Sequence, residues 1–429
     1  MLKHSLPFFF LPLLLWSCGA ADSGVETPDG EPVPVRFNTY IAQDAASRAA
    51  DAPLSNITDI ASLRTVGFGV FGYYDDNKPY DYQKDPPNFM YNQRVTWSEA
   101  ANAWTYSPLK YWPNETGSES DGRTDRLSFF AYAPYLNNDS RLTCSANNAP
   151  GDPTVTYTTP EDLSQCLDVL YATNPDGKPL TDLTNLTRQK VGDNVTFSFH
   201  HTMSRLNFNV HAAFDEITVG TNAKADSTRI TVESITLETD GSDGTTAPLF
   251  YTAGTLNLRT GSWTGTANDN ATATPRLVLS GTALNPDVRD QGDKCVYQMT
   301  DANKNIIPGV DNTWRNAGNG YLTLVPNANP TSSTPNLKVT IVYHTTSDDP
   351  RLVLSGGRSR VTSTVSKTFS GFRFERGKAY AINLLIGMTT VKFSVQVQNW
   401  RDPITFAPMV DDWQNTSIII NFDKIDTTP

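Results

Sequence analysis

Val195-Thr196-Phe197-Ser198-Phe199-His200-His201 runs straight into Thr202-Met203-Ser204-Arg205-Leu206-Asn207-Phe208-Asn209-Val210, and each half is apolar at every second position. Side chains alternate between the two faces of a strand, so Val195, Phe197 and Phe199 share one face and Leu206, Phe208 and Val210 share another. The same period recurs outward from this stretch. Before it lie Val33 to Ile41, the row Val66, Phe68 and Val70, then Gln93 to Trp97, Leu127 to Tyr132 and Asp168 to Ala172. After it come Ile230 to Leu237, Leu256 to Leu258, Leu277 to Leu279, Tyr321 to Val325, Leu337 to Tyr343, Tyr380 to Ile386, Val391 to Val397 and Ile418 to Phe422. Turn pairs such as Asp176-Gly177, Asp240-Gly241 and Arg376-Gly377 punctuate them. Helical periodicity of any length is scarce. The pattern predicts an all-β chain built of two antiparallel β-sandwich domains in tandem. The polar stretch 173–193 places their boundary near its end, giving an N-terminal sandwich over 33–192 and a C-terminal one over 193–429.

Composition agrees. Charged residues are 18% of the 429, and Gly 27 and Pro 28 are spread throughout, which argues against helical bundles and coiled coils. The formal net charge of −11 argues against nucleic acid as a partner. Four cysteines are too few for a disulfide scaffold. Cys144 and Cys166 could pair in an oxidising compartment, or Cys144, Cys166 and Cys295 could all stay reduced.

The first residues read as an address. Met1-Leu2-Lys3-His4 is followed by an unbroken apolar run from Leu6 to Trp16. A membrane span needs about 20 such residues, so this run reads as the core of a secretory signal. It ends at Ser17-Cys18-Gly19, which looks like a bacterial lipobox with Cys18 as the acylated thiol. Residues 1–17 are then a signal peptide, and 18–32 a polar tether to outer-membrane lipid.

Chemistry is sparse. His200 and His201 are adjacent on a strand and point to opposite faces, so they cannot chelate together. Asp75-Asp76-Asn77 and Asp240-Gly241-Ser242-Asp243-Gly244 are acidic turns that complete no calcium pattern. No nucleophile elbow, zinc helix or phosphate loop occurs. The expectation is no enzyme, no catalytic residue, no cofactor and no metal. The aromatic blocks Trp97, Trp104-Thr105-Tyr106, Tyr111-Trp112 and Phe129-Phe130-Ala131-Tyr132 fit either a sandwich core or a sugar-stacking surface, and the core is their commoner use.

These blocks, in this order, carry a family resemblance. The lipobox at Cys18, Val35-Arg36-Phe37, Phe68-Gly69-Val70-Phe71-Gly72-Tyr73, Asn92-Gln93 to Trp97, Trp104 to Pro113, Leu127 to Pro134, Asp168 to Ala172 and Val195 to Leu206 together resemble the fimbrillin family. These are fimbrial subunits and related surface proteins of type V pili in Bacteroidales bacteria. The resemblance implies transthyretin-like sandwiches, no catalysis, export as an outer-membrane lipoprotein, and display on the cell surface or in the fimbrium. It also implies removal of an N-terminal segment by an arginine-specific protease, and polymerisation by strand exchange with copies of itself or related pilus subunits, in support of adhesion. Carried onto this chain, the cleaved bond is Arg48–Ala49, because Gln43 to Pro53 is small and polar and lies just past the first strand. The displaced N-terminal strand carries Val33, Val35, Phe37, Thr39 and Ile41. The donor candidate is 416–423, with Ile418, Ile420 and Phe422 in its row. The alternative is a monomeric surface lipoprotein that binds a glycan or host ligand, with exposed rings and a retained first strand.

Overall fold

The alternating rows become twenty-two strands among the residues that the structure, a computed structural model, describes: 32–41, 57, 59–113, 125–160, 165–173, 183–187, 194–213, 228–240, 248–266, 276–280, 313–314, 322–327, 336–348, 358–387, 391–399 and 418–420. In chain order the first nine are β1 (Arg36–Ile41), β2 (Phe68–Asp75), β3 (Met90–Ser98), β4 (Ala103–Thr105), β5 (Arg126–Ala133), β6 (Leu142–Cys144), β7 (Thr154–Thr158), β8 (Leu170–Thr173) and β9 (Asn194–His201). Next come β10 (Ser204–Ala213), β11 (Thr228–Thr239), β12 (Phe250–Tyr251), β13 (Ala253–Asn257), β14 (Trp263–Gly265), β15 (Arg276–Ser280), β16 (Thr313–Trp314) and β17 (Leu322–Pro326). The last are β18 (Asn336–Asp348), β19 (Arg358–Ser370), β20 (Lys378–Gly387), β21 (Val391–Asn399) and β22 (Ile418–Ile420).

Two cores result. The first lies between the sheet β1-β9-β8-β5-β2-β3-β4 and the sheet β14-β13-β7-β6, and is filled by Phe68, Phe129, Phe197 and Phe199 from one side and Val155, Tyr157 and Leu256 from the other. The second lies between β12-β17-β10-β20-β21-β22, with β16 on β10, and β15-β11-β18-β19; Leu206, Phe208 and Ile382 meet Ile235, Val339 and Ile341 there. The chain passes from one core to the other at Thr202-Met203, between β9 and β10.

Two pairings depart from the antiparallel expectation: β1 runs parallel to β9, and β10 runs parallel to β20. Alternation fixes which face a residue takes, but strand direction depends on which partner reaches the edge. The domain limits also differ from the sequence division. β9 follows residue 193 yet sits inside the first sheet, and β13 crosses back to pair with β7, carrying β14 on its other edge. A cut between residues 192 and 193 therefore does not separate the cores. Leu256 is buried opposite Val155 of β7, and Leu258, just past the strand, is buried with its N–H donating to the Pro153 carbonyl at 3.0 Å.

Val66, expected in a strand row, lies instead in α1 (Ile60–Val66), a seven-residue helix too short to show a period. It begins with a reciprocal capping box between Asp59 and Ser62. It ends at Gly67, where φ is +68° and a Cβ would stand 2.7 Å from the Val95 carbonyl oxygen. No disulfide joins Cys144 and Cys166: the Cys144 thiol donates to the Tyr132 hydroxyl at 3.4 Å beside the first core, while Cys166 is buried in the second.

The acidic turn after β2 is held by protein cations. Lys78 Nζ sits 2.7 Å from Asp85 Oδ1 and 3.9 Å from Asp75 Oδ1. Burial, and then the charge of Asp85, push the Asp75 carboxyl up to about 7. Burial also acts on Asp85, but the Lys78 ammonium and the Asp81 N–H outweigh it and hold that carboxyl below the usual range. Because the folded value of Asp75 is raised from 3.8, its contribution to stability is full only below that value and is lost progressively as pH rises through about 7. Asp75→Asn keeps the shape without the charge. It should raise stability at pH 8 by up to about 4 kcal/mol, by less at pH 5, and hardly at all at pH 3, as read by urea unfolding. An identical difference at pH 3 and pH 8 would refute the raised value of Asp75.

Candidate functional site

β1 is the end strand of the first sheet, and it is held on two sides by successive parts of its length. Its six residues pair with β9 from Arg36 against Asn194 to Ile41 against Phe199. The residues just before it pair with the opposite wall: the Val35 N–H donates to the Lys110 carbonyl at 2.8 Å, and the Trp112 N–H donates to the Val33 carbonyl at 2.9 Å. Two side chains from that wall close over the strand. The Tyr106 hydroxyl donates to the Val35 carbonyl at 2.7 Å, and Trp104 Nε1 donates to Thr39 Oγ1 at 2.9 Å.

The alternation places β1 as expected. Val35, Phe37 and Ile41 are buried, and Val33 packs at the edge of the core. Arg36 and Asn38 face outward, and Tyr40 is 54% exposed. Phe37 is the keystone, with its ring centroid 5.3 Å from Phe197, 5.5 Å from Tyr106, 5.7 Å from Phe129 and 6.4 Å from Phe68. Phe37→Ala should destabilise the uncleaved protein by about 3–5 kcal/mol, the usual cost of an aromatic truncation in a packed core. A urea midpoint within error of the wild type would show that the slot is not tightly filled.

Further along, the chain is pinned again at Ile57. Its N–H donates to Asp168 Oδ2 at 3.0 Å, and the other carboxylate oxygen contacts His201 Nδ1 at 3.0 Å. β1 and Ile57 thus belong to one core, and residues 42–56, which include Arg48, lie between two fixed points.

Of the other sequence-derived sites, Cys18, Arg48, Ala49 and Phe422 lie outside the described residues. Ile418 and Ile420 lie in β22, antiparallel to β21 at the end of the second core's sheet, opposite Val395 and Phe393. The structure does not bring β22 and β1 together within one chain; they end different sheets.

The aromatic blocks are mostly core: Trp104, Trp112, Phe129, Phe130 and Tyr132 are buried and Trp97 and Tyr106 are part-buried against them, while Tyr111 is 43% exposed. His200 and His344 have structural partners. His200 Nε2 meets Thr173 Oγ1 at 2.8 Å, and burial lowers its pKa. His344 lies 2.7 Å from Glu233 and 2.9 Å from Thr362 Oγ1. Among the described residues no group of three or more His, Cys, Asp or Glu side chains could hold a metal. Sequence reading missed the second wall of the slot, because Tyr106 to Trp112 has no strand period, and it missed the Ile57–Asp168 clasp, whose partners are 111 positions apart.

Comparison with known proteins gives the same arrangement a family. A relative from Phocaeicola vulgatus (strain ATCC 8482), the fimbrium subunit Fim1C, is 24% identical over 351 residues, covering 79% of this chain and 82% of its own. The crystal structure of a fimbrial protein from Bacteroides vulgatus ATCC 8482 shares the fold at a TM-score of 0.55 with 21% identity, covering 86% of this chain and 99% of that one. The fimbrillin-like family model matches residues 66–400. An all-β chain of paired sheets that matches this model over most of its length belongs to the fimbrillin-like family.

Proposed function

We propose that the chain is a structural subunit, stalk or tip, of a type V fimbria. It is exported as an outer-membrane lipoprotein through Cys18, cut after Arg48 by an arginine-specific protease, and assembled by donor-strand exchange in support of adhesion. In this reading the two sandwiches are tandem transthyretin-like domains, β1 is the strand that leaves, and residues 416–423 of a neighbouring subunit replace it.

The observation that carries the reading is the attachment of β1. It is an end strand that fills an aromatic slot, and its covalent connection to the rest of the fold runs through the segment containing Arg48. Burying Val35, Phe37 and Ile41 is worth roughly 5–9 kcal/mol. Ordering six residues costs roughly 6–12 kcal/mol, and the ladder bonds return about 1 kcal/mol each. These terms nearly cancel, so a strand that is secure while tethered becomes exchangeable once cut. The vacated edge would present unpaired N–H and C=O groups and an apolar row, which templates a strand from another chain. Such a contact is head-to-tail and does not close on itself, so it grows a fibre.

The test is N-terminal sequencing of the surface-exposed form, with mass measurement of the precursor. A polymerised form should begin at Ala49 and its precursor should carry acyl mass on Cys18. A polymer whose subunits begin at an acylated Cys18 would overturn the proposal.

A further inference from the structure

Away from the β1 slot, a cavity of about 510 Å³ opens where the two cores meet. One wall is the loop 372–377 and the other is the turn 257–262, with Trp263 between them. Both walls are held by hydrogen bonds. In the loop, Phe372 and Phe374 are buried against Tyr380, so Arg373 and Glu375 point outward. The Tyr380 hydroxyl donates to the Arg373 carbonyl at 3.1 Å and accepts the Glu375 N–H at 2.8 Å. Ser204 Oγ donates to the Glu375 carbonyl at 2.8 Å, and the Gly377 N–H donates to the Met203 carbonyl at 2.8 Å. In the turn, the Asn257 side-chain oxygen accepts the N–H groups of Arg259 and Thr260. Gly261 stands so close to the Tyr171 ring that any Cβ would lie 2.2 Å from it. Arg376 Nη1 bridges the walls by donating to the Gly261 carbonyl at 3.0 Å.

The polar groups that reach this cavity are of both signs. Elsewhere Arg141 pairs with Asp139 and Arg259 with Asp152; among the described residues Arg373 and Arg376 form no ion pair, and Arg376 lies 5.8 Å over the Tyr171 ring. Glu375 supplies a carboxylate, Thr260 and Ser262 supply hydroxyls, and Trp263 supplies an aromatic ring whose Nε1 is already spent on the Thr202 carbonyl at 2.9 Å. A simple anion would leave Glu375 without a hydroxyl donor and would leave the ring unused. A neutral sugar would leave one positive charge unmatched, since two guanidinium groups face a single carboxylate. A ligand that joins a carboxylate to a hydroxylated ring satisfies all of them: guanidinium forks take the carboxylate, Glu375 accepts sugar hydroxyls, and the ring's apolar face meets Trp263. The volume falls within the range of small-ligand sites. We propose that this inter-core cavity binds a carboxylated saccharide, with Arg373 and Arg376 as the carboxylate receptors and Glu375 as the hydroxyl acceptor. The site is separate from the β1 slot, so its occupancy and polymerisation are independent.

The experiment titrates the uncleaved full-length protein by ligand-observed NMR with 3′-sialyllactose, with a polygalacturonate tetrasaccharide, and with lactose and acetate as the neutral and simple-anion controls. One of the two carboxylated sugars should bind, and which one does so identifies a sialylated or a uronic-acid source. Lactose should bind at least about tenfold more weakly, as expected when charge-assisted bonds are lost. Arg373→Ala, at an exposed side chain that supports no fold contact, should weaken binding by about tenfold or more with an unchanged melting temperature. Arg376→Lys should weaken it as well, because an ammonium cannot form the fork. The proposal fails if neither carboxylated sugar binds, if lactose or acetate competes equally, or if Arg373→Ala binds like the wild type.

Discussion

Arg48→Ala is expected to leave the precursor intact under an arginine-specific protease, and to leave it monomeric. The alternatives in the N-terminal region are structurally guarded. Arg36 lies within β1, paired to Asn194, and a protease needs the strand free to draw it into its cleft. Arg64 lies inside α1, and its guanidinium carbon sits 3.7 Å over the Trp97 ring. Arg48 stands in a stretch of small and polar residues between Ile41 and Ile57, the two points at which the chain is fixed. A pocket built for a guanidinium rejects a side chain that leaves its buried carboxylate unpaired by about 10⁴-fold, so the loss should be close to complete. Gel mobility and mass spectrometry across a protease time course read the result. Equal cleavage of mutant and wild type would move the processing site elsewhere, and with it the strand that leaves.

The expectation of an all-β fold was legible because alternation is local. Phe197 and Phe199 show their face within three residues, and both sit in the first core. What the alternation could not show is pairing. β19 (Arg358–Ser370) is thirteen residues long, yet only Val361, Val365 and Phe369 interrupt its hydroxyl and charged residues, and it gives no apolar row. It forms because β18 beside it is apolar on alternate positions and pairs along its whole length. The crossing of β13 to β7, with β14 on its other edge, was equally hidden, since turn residues mark where a strand ends and not which sheet receives the next one. In the candidate site, the buried row of β1 was readable from Val33 to Ile41. Its clasp was not: Trp104, Tyr106, Lys110 and Trp112 act through individual hydrogen bonds from a segment with no period, and Asp168 reaches Ile57 across a sequence distance that no local pattern encodes.

Deleting residues 415–429 should abolish polymerisation while leaving cleavage after Arg48 unchanged. The slot that β1 fills accepts Val35, Phe37, Thr39 and Ile41 at alternate positions. Thr416, Ile418, Ile420 and Phe422 form a row of the same length with no charge in it, and the next position along, Lys424, is charged. Period-two side chains fix register wherever one face is buried, so a row of matching length can occupy the slot and a shifted one would bury a charge. Leaving its own chain is cheap for this segment. β22 pairs with β21 over three residues at the end of its sheet, and each ladder bond is worth about 1 kcal/mol net. The second core keeps Ile382, Leu384 and Val395 from β20 and β21, so the truncated protein should fold with a similar melting temperature. After treatment with arginine-specific protease it should run as a monomer by size-exclusion chromatography, while the full-length protein forms species of increasing length. A synthetic peptide spanning 414–424 should bind the cleaved deletion protein and not the uncleaved one, because only cleavage frees the slot. Polymerisation of the deletion protein to the same extent as the full-length chain would show that the C-terminal strand is not the donor and that Ile418–Ile420 serves only to complete its own sheet.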